Sequence, residues 1–207
     1  KNVCSRTCFF YKLHIVLVNF KLRHICVFSI KKLMKSKKNL VFLGMMGSGK
    51  SSIGLLVAKK LRLEFIDIDK EIEKNSGLSI SEIFETKGEN FFRKFEEKIT
   101  LKKLKLSSSV IALGGGSFIN KNIRKIVLEK HISFWLNNNN QVLLSRIKNS
   151  KKRPLVLNAS DDELIDLMNK RSYSYSKALF EIKCDNLNKN DIVKKILKIY
   201  ETYSTEN

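Results

Sequence analysis

A glycine-rich segment near residue 50 combines the residue types that bind phosphate. Gly44, Gly47, Gly49, Lys50 and Ser51 follow the pattern G-x-x-x-x-G-K-[ST]. Glycines let the backbone N–H groups converge on a phosphate, and the N-terminus of the following helix adds partial positive charge. In this pattern the lysine contacts the β and γ phosphates and the hydroxyl binds Mg²⁺. The segment therefore predicts a nucleotide phosphate site, and an ordinary glycine-rich turn is the alternative.

Two carboxylates follow the next apolar segment of the chain. We place Asp67 and Asp69 at the end of a strand, where alternate residues point to the same side. In an open α/β sheet this carboxyl edge also holds the phosphate loop. Magnesium-assisted phosphoryl transfer needs one acid to organise the metal and another to take or orient the proton of the acceptor hydroxyl. The alternative for Asp69 is a helix N-cap before Lys70.

Three consecutive glycines follow the third apolar segment. Gly114, Gly115 and Gly116 allow the backbone to come close to a ligand, although a flexible turn explains them as well. Further on, Arg153 lies in the polar, basic stretch NSKKRPLVL, which contains the only proline. This stretch predicts a mobile lid over about residues 148–158 that brings a guanidinium group onto phosphate.

The elements that must position these residues follow from the hydrophobic pattern. Short apolar segments alternate with longer segments of helical periodicity, which is typical of βαβ units and an α/β parallel sheet. Strands are predicted at 40–43, 64–68, 110–113, 132–136 and 180–184. Helices are predicted at 49–61, 79–85, 91–104, 122–129, 139–147, 161–176 and 190–203, with Gly88 separating the second from the third.

Composition and charge limit the classes of function. The 207 residues, 43% of them hydrophobic, suit one globular domain. A net charge of +20 alone suggests a nucleic-acid or membrane partner. However, residues 1–38 hold ten of the 40 basic residues and none of the 20 acidic ones. The remaining net charge of +10 is better explained as attraction for an anionic substrate and nucleotide, and a basic nucleic-acid-binding protein stays the rival interpretation.

Residues 1–33 differ from the rest of the chain, since they contain no glycine, proline or acid. Their apolar stretch at 13–20 is too short and too polar to span a bilayer. An organellar transit peptide, a signal peptide and sequence upstream of a start at Met34 are the three interpretations, of which we favour the last. We therefore expect a domain over 34–207 preceded by an extra segment. Neither a disulfide framework nor a zinc pattern follows from its cysteines and histidines.

Residues 39–203 resemble the shikimate kinase family, whose members are P-loop kinases of the nucleoside monophosphate kinase type. The resemblance rests on the order and spacing of six motifs: GMMGSGKSSIG, FIDIDKEIEKNSG, IFETKGENFFRKFEEKI, LGGGSF, KKRPLV and RSYSY. Ser52 replaces the usual threonine, and RSYSY lacks the usual proline and leucine between Arg171 and Tyr175.

The resemblance implies a three-layer α/β/α P-loop kinase fold with a central five-stranded parallel sheet and a lid. The implied reaction transfers the γ-phosphoryl group of ATP to the 3-hydroxyl of shikimate, in chorismate and aromatic amino-acid biosynthesis. The implied cofactor is Mg²⁺, and we expect a cytoplasmic monomer without a nucleic-acid or membrane partner, or an organellar protein if residues 1–33 are a transit peptide. Gluconate kinase is the related alternative.

The resemblance also assigns roles by position. The catalytic residues are Lys50, Asp69 and Arg153, and Ser51 with Asp67, the latter through water, support the metal. The residues implied to bind ATP are Gly47, Ser48, Gly49, Lys50, Ser51, Ser52, Arg146, which stacks near adenine, and Arg153. Those implied to bind shikimate are Asp69, Arg93, Gly114, Gly115, Gly116 and Arg171, with Glu96 orienting Arg93.

Overall fold

A computed structural model of the chain describes residues 37–148 and 159–206. Its five strands form one parallel sheet in the order β2-β3-β1-β4-β5. The strands are β1 (Leu40–Leu43), β2 (Glu64–Asp67), β3 (Ser109–Ala112), β4 (Ile132–Asn137) and β5 (Phe180–Lys183). The helices described are α1 (Lys50–Leu61), α2 (Ile68–Ser76), α3 (Ile80–Leu104), α4 (Lys121–Lys130), α5 (Asn140–Lys148), α6 (Asp161–Tyr175) and α7 (Lys189–Glu206), with a 3₁₀ turn at Ser117–Ile119.

The central strands are buried on both faces, as parallel strands between layers of helices must be. Every residue of β1 is at most 1% exposed, and the side chains of β3 and β4 are buried along almost their whole length. Continuous apolar runs therefore identified these strands, and all five predicted strands are confirmed within two residues at each end. Residues 37–200 group into one compact unit. The extra segment at 1–33 lies outside the described residues.

The prediction for Asp69 was wrong in one respect. Strand β2 ends at Asp67, and Asp69 lies in the first turn of α2 rather than on the strand. Asp67 is the N-cap of that helix, because its Oδ1 accepts hydrogen bonds from the backbone N–H groups of Asp69 (3.1 Å) and Lys70 (3.4 Å). Asp67 therefore lies at the carboxyl edge of the sheet as a helix cap, and Asp69 lies there in the first turn of α2.

Helix α3 is interrupted at Gly88, as the sequence predicted. Gly88 has φ 76° and ψ 168°, which breaks the helical path between its two halves. The first half begins with a capping box, in which Ser79 and Glu82 satisfy each other's backbone N–H groups. No described helix is both long and apolar enough to cross a membrane.

A buried polar group lies at the edge of the sheet opposite the strands' carboxyl ends. The backbone N–H of Asn39 donates to Nδ1 of His131 (3.4 Å), whose side chain is buried. Burial lowers the pKa of His131, the charge of Lys130 lowers it further, and a backbone contact with Leu104 opposes part of this shift. Protonation at Nδ1 would place two N–H donors against each other, so the fold favours the neutral ring.

The lowered pKa of His131 predicts a loss of stability in mild acid. The unfolded chain takes up a proton near the ordinary pKa, above that of the folded chain, so protonation favours unfolding as the pH falls through this range. We expect the free energy of unfolding to fall more between pH 7 and pH 5 for the wild type than for His131→Gln, measured by urea denaturation. The other histidines are common to both proteins. An equal decrease would contradict the assignment.

Candidate active site

One cavity of about 810 Å³ opens at the carboxyl edge of the sheet. It brings together residues from the phosphate loop and from the proposed acceptor side. From the loop and α1 it is lined by Gly47, Gly49, Lys50, Ser51 and Ser52, and from the other side by Asp69, Arg93, Glu96, Gly115, Gly116 and Arg171. Residues more than 100 positions apart in the chain therefore share one space.

The phosphate loop has the conformation that its glycines predicted. Gly47 and Gly49 have φ angles of 79° and 94°, which L side chains rarely adopt. Helix α1 begins at Lys50, so its N-terminal N–H groups point into the loop. The Nζ atom of Lys50 donates to the backbone oxygens of Gly44 (2.9 Å) and Met45 (3.0 Å), which holds the ammonium group inside the loop.

Three further predicted ATP-site residues lie in or beside this loop. Arg146 on α5 donates from Nη1 to the backbone oxygen of Gly47 and to Oδ1 of Asn138, both at 3.2 Å. Ser48 Oγ is buried and has no hydrogen-bond partner within the described part of the chain. Ser48 is not among the residues that line the cavity, and its Oγ lies toward Gly44, 3.2 Å from the position of a Cβ added there. Ser52 Oγ donates to the Gly49 oxygen (3.1 Å).

The donor set suits a hard divalent cation. Ser51 lines the cavity and carries a hydroxyl, whereas Asp67 is not among the lining residues and caps α2 through its Oδ1. Oxygen ligands of this kind, completed by phosphate oxygens and water, are those that Mg²⁺ prefers. Over residues 37–148 and 159–206, no group of three or more His, Cys, Asp or Glu side chains is placed to hold a metal.

Gly114 is surrounded by three side chains that carry oxygen atoms. A Cβ atom added there would lie 2.7 Å from Asp69 Oδ1, 2.7 Å from Glu96 Oε1 and 2.9 Å from Ser117 Oγ. These oxygens therefore surround the space that a side chain at Gly114 would need. The glycine is required for close approach rather than for an unusual backbone angle.

Glu96 connects Arg93 to the glycine loop. Glu96 is 3% exposed, and its Oε2 accepts from Arg93 Nη1 at 2.9 Å, while its Oε1 accepts from Ser117 Oγ at 2.6 Å. Glu89 binds Nε and Nη2 of the same arginine at 3.1 and 3.0 Å. Burial by itself lowers the pKa of Arg93, but the two glutamates outweigh it and the net pKa is raised. The guanidinium group of Arg93 is therefore charged, and the two glutamates fix its orientation.

Arg171 reaches the cavity from α6. Its Nη1 lies 3.8 Å from Sδ of Met45 in the phosphate loop, a weak acceptor, and its guanidinium group also contacts the Tyr175 hydroxyl. One turn later on α6, the Tyr175 hydroxyl donates to the Gly115 oxygen. Helix α6 runs without a break to Tyr175, so the altered RSYSY motif keeps a helical backbone between Arg171 and Tyr175.

The structure adds residues that the sequence did not single out. Ser117, Glu89 and the hydroxyl of Tyr175 each bind a residue of the candidate site. A signal existed for Ser117, which directly follows the glycine triplet, and for Glu89, which lies one helical turn before Arg93. The predicted lid at 148–158 and Arg153 lie outside the described residues, apart from Lys148, so their roles remain predictions.

Comparisons with known proteins give the same family as the motifs. The family model of shikimate kinase matches residues 46–201. The shikimate kinase of Bartonella quintana (strain Toulouse) is 36% identical over 185 residues, covering 87% of this chain and 88% of its own. That of Thermodesulfovibrio yellowstonii is 39% identical over 168 residues, covering 81% and 97%. The chain belongs to the shikimate kinase family.

Solved structures agree with this membership. A shikimate kinase from Acinetobacter baumannii, solved in complex with shikimate, has a TM-score of 0.76 at 31% identity and covers 80% of this chain and 94% of its own. One from Aquifex aeolicus has a TM-score of 0.70 at 34% identity, covering 81% and 96%. A gluconokinase from Sinorhizobium meliloti 1021, with a TM-score of 0.50 at 17% identity, covers 82% of this chain and 95% of its own, and shares the fold alone. Both the predicted fold class and the predicted family are confirmed.

The crowding at Gly114 predicts a large effect of a small substitution. In Gly114→Ala the new methyl group meets the oxygens of Asp69, Glu96 and Ser117, so we expect a loss of stability of about 1–3 kcal/mol, typical of overpacking. In Gly115→Ala the nearest atom is Met46 N at 3.3 Å, and this variant is the control. Urea denaturation of both measures the difference, and equal stabilities would contradict the crowding.

Proposed function

We propose that this member of the shikimate kinase family transfers the γ-phosphoryl group of ATP to the 3-hydroxyl of shikimate, releasing ADP and shikimate 3-phosphate. The observation that carries the proposal is the single cavity shared by Lys50 and Ser51 on one side and Asp69, Arg93 and Arg171 on the other. A kinase needs its donor and acceptor in one dry space, because water would otherwise take the phosphoryl group. The fold neighbour from Acinetobacter baumannii, which was solved with shikimate, supports the choice of acceptor.

The donor half is assigned to the loop and the start of α1. When ATP binds, the Lys50 ammonium group donates to β and γ phosphate oxygens in place of the loop carbonyl oxygens. The N-terminus of α1 places further N–H donors around these phosphates. Ser51, and Asp67 through water, would hold Mg²⁺, which would supply neutralisation of charge on the transferred phosphoryl group. Arg146 is assigned to the adenine side, and Arg153 is assigned to the phosphate from the lid.

Asp69 is assigned to bind the acceptor hydroxyl and to take its proton. As the hydroxyl oxygen forms its bond to the γ phosphorus, the bond from that phosphorus to the β–γ bridging oxygen breaks, and the hydroxyl proton passes to the Asp69 carboxylate. Glu96 Oε1 and Asp69 Oδ1 both border the position of Gly114, so Asp69 lies beside a second carboxylate.

The two arginines are assigned to the substrate carboxylate. Arg93 is directed by Glu96 and Glu89, whereas Arg171 contacts Met45 Sδ and the Tyr175 hydroxyl. A guanidinium fork matches a carboxylate with two parallel hydrogen bonds. A cytoplasmic location and a monomeric state are parts of the same proposal, the latter because one chain supplies every assigned residue.

A phosphorylation screen tests the proposal. The purified chain is incubated with ATP and Mg²⁺ and with shikimate, gluconate or nucleoside monophosphates, and ADP release is coupled to a spectroscopic assay. We expect release that depends on shikimate and a product with the mass of shikimate 3-phosphate. Turnover of gluconate or a nucleotide in preference to shikimate would refute the assignment.

Substitution of the donor and acceptor groups separates their roles from general damage. Asp69→Asn removes the proton acceptor and should lower turnover by about 10²–10⁴-fold. Lys50→Ala removes a charge from the phosphate site and should lower it by about 10²-fold or more. Asp166→Asn, the same change at an exposed aspartate of α6 outside the cavity, is the control and should stay near wild type. Near-normal turnover of Asp69→Asn would exclude the assigned role.

Arg171→Lys tests carboxylate recognition. Lysine keeps the charge but loses the fork, so the KM for shikimate should rise by roughly tenfold or more, since hydrogen bonds to charged groups are worth about 1.5–3 kcal/mol. The KM for ATP should change little. Arg62→Lys, at an exposed arginine outside the cavity, is the matched control. Equal changes in the two KM values would argue against a role in shikimate binding.

A further inference from the structure

Tyr175 lies at the centre of contacts that join both arginines. Its side chain is 1% exposed, and its hydroxyl donates to the backbone oxygen of Gly115. Arg171 precedes it by one helical turn on α6 and lies beside the hydroxyl. At Gly116, the next residue of the glycine loop, an added Cβ atom would lie 2.5 Å from Nη1 of Arg93. A continuous path therefore runs from one guanidinium group through Tyr175 and the loop to the other.

The hydroxyl is a permanent donor. Burial raises the pKa of Tyr175 to about 12, while the positive charge of Arg171 opposes part of that shift. The phenol consequently stays protonated over the pH range in which kinases work, and its bond to Gly115 does not switch with pH. Its ring also packs near Trp135, with ring centroids 6.2 Å apart, which fixes the ring independently of the hydroxyl.

We propose that Tyr175 is a positioning residue that sets the spacing between Arg93 and Arg171 by fastening the last turn of α6 to the glycine loop. This inference rests on the proposed function, in which the two arginines bind the shikimate carboxylate. A carboxylate held by two forks depends on their separation, because each hydrogen bond weakens steeply with distance and angle. ATP, bound at the phosphate loop, does not depend on that separation.

Tyr175→Phe is the direct test, because it removes only the hydroxyl and keeps the ring beside Trp135. We expect the KM for shikimate to rise by about three- to tenfold, the range for loss of one neutral hydrogen bond, with the KM for ATP within about twofold of wild type. Tyr173→Phe is the matched control, since Tyr173 lies on the same helix and is 72% exposed. Its constants and melting temperature should equal those of the wild type.

A double-mutant cycle distinguishes positioning from general support. If Tyr175 acts by placing Arg171, the effect of Tyr175→Phe on the shikimate KM should shrink in an Arg171→Lys background. Fully additive effects, or equal rises in both KM values together with a lower melting temperature, would show a structural role only and overturn the inference.

Gly116→Ala disturbs the same spacing from the other side and covers the case in which Tyr175→Phe does not fold. Its methyl group displaces the end of the Arg93 side chain, so the shikimate KM should rise while the ATP KM does not. An unchanged shikimate KM in either variant would refute the inference while the proposed function stands. A wild-type chain that releases no ADP with shikimate would refute the proposed function itself, and the inference with it.

Discussion

The acceptor side of the site depends on one buried charge. Glu96 is 3% exposed, and a carboxylate removed from water is stable only when its oxygens are satisfied. Arg93 binds one oxygen and Ser117 the other, so a residue of α3 is tied at once to its own helix and to the turn after the glycine triplet. The position of Arg93 and the approach of Gly114 both follow from this requirement.

The same requirement explains why small residues are needed around it. Gly114 must leave room for the oxygens of Glu96 and Asp69, and Gly116 must leave room for the guanidinium group of Arg93. Neither position needs a left-handed backbone. The glycines of the phosphate loop differ, since Gly47 and Gly49 are required by their positive φ angles. Two glycine-rich segments thus serve the site for two different physical reasons.

The sequence predicted the sheet and the donor site well because their signals are local. Buried parallel strands appear as continuous apolar runs, and the phosphate loop has restricted residues at fixed spacing. Asp69 was misplaced because one residue decides where a strand ends and a helix begins, and Asp67 rather than Asp69 caps the helix. The bond from Tyr175 to Gly115 could not be predicted, since it joins residues 60 positions apart through a backbone oxygen that no sequence pattern marks.

The break in α3 separates two walls of the cavity that differ in chemical character. Ile80 and Phe84 line the cavity from the half before Gly88, whereas Arg93 and Glu96 line it from the half after it. A Cβ at Gly88 would meet nothing within 4 Å, but Phe84 and Phe92 pack against each other across the break, with ring centroids 4.6 Å apart. The apolar wall is therefore joined to the charged wall by packed aromatic rings rather than by a continuous helix.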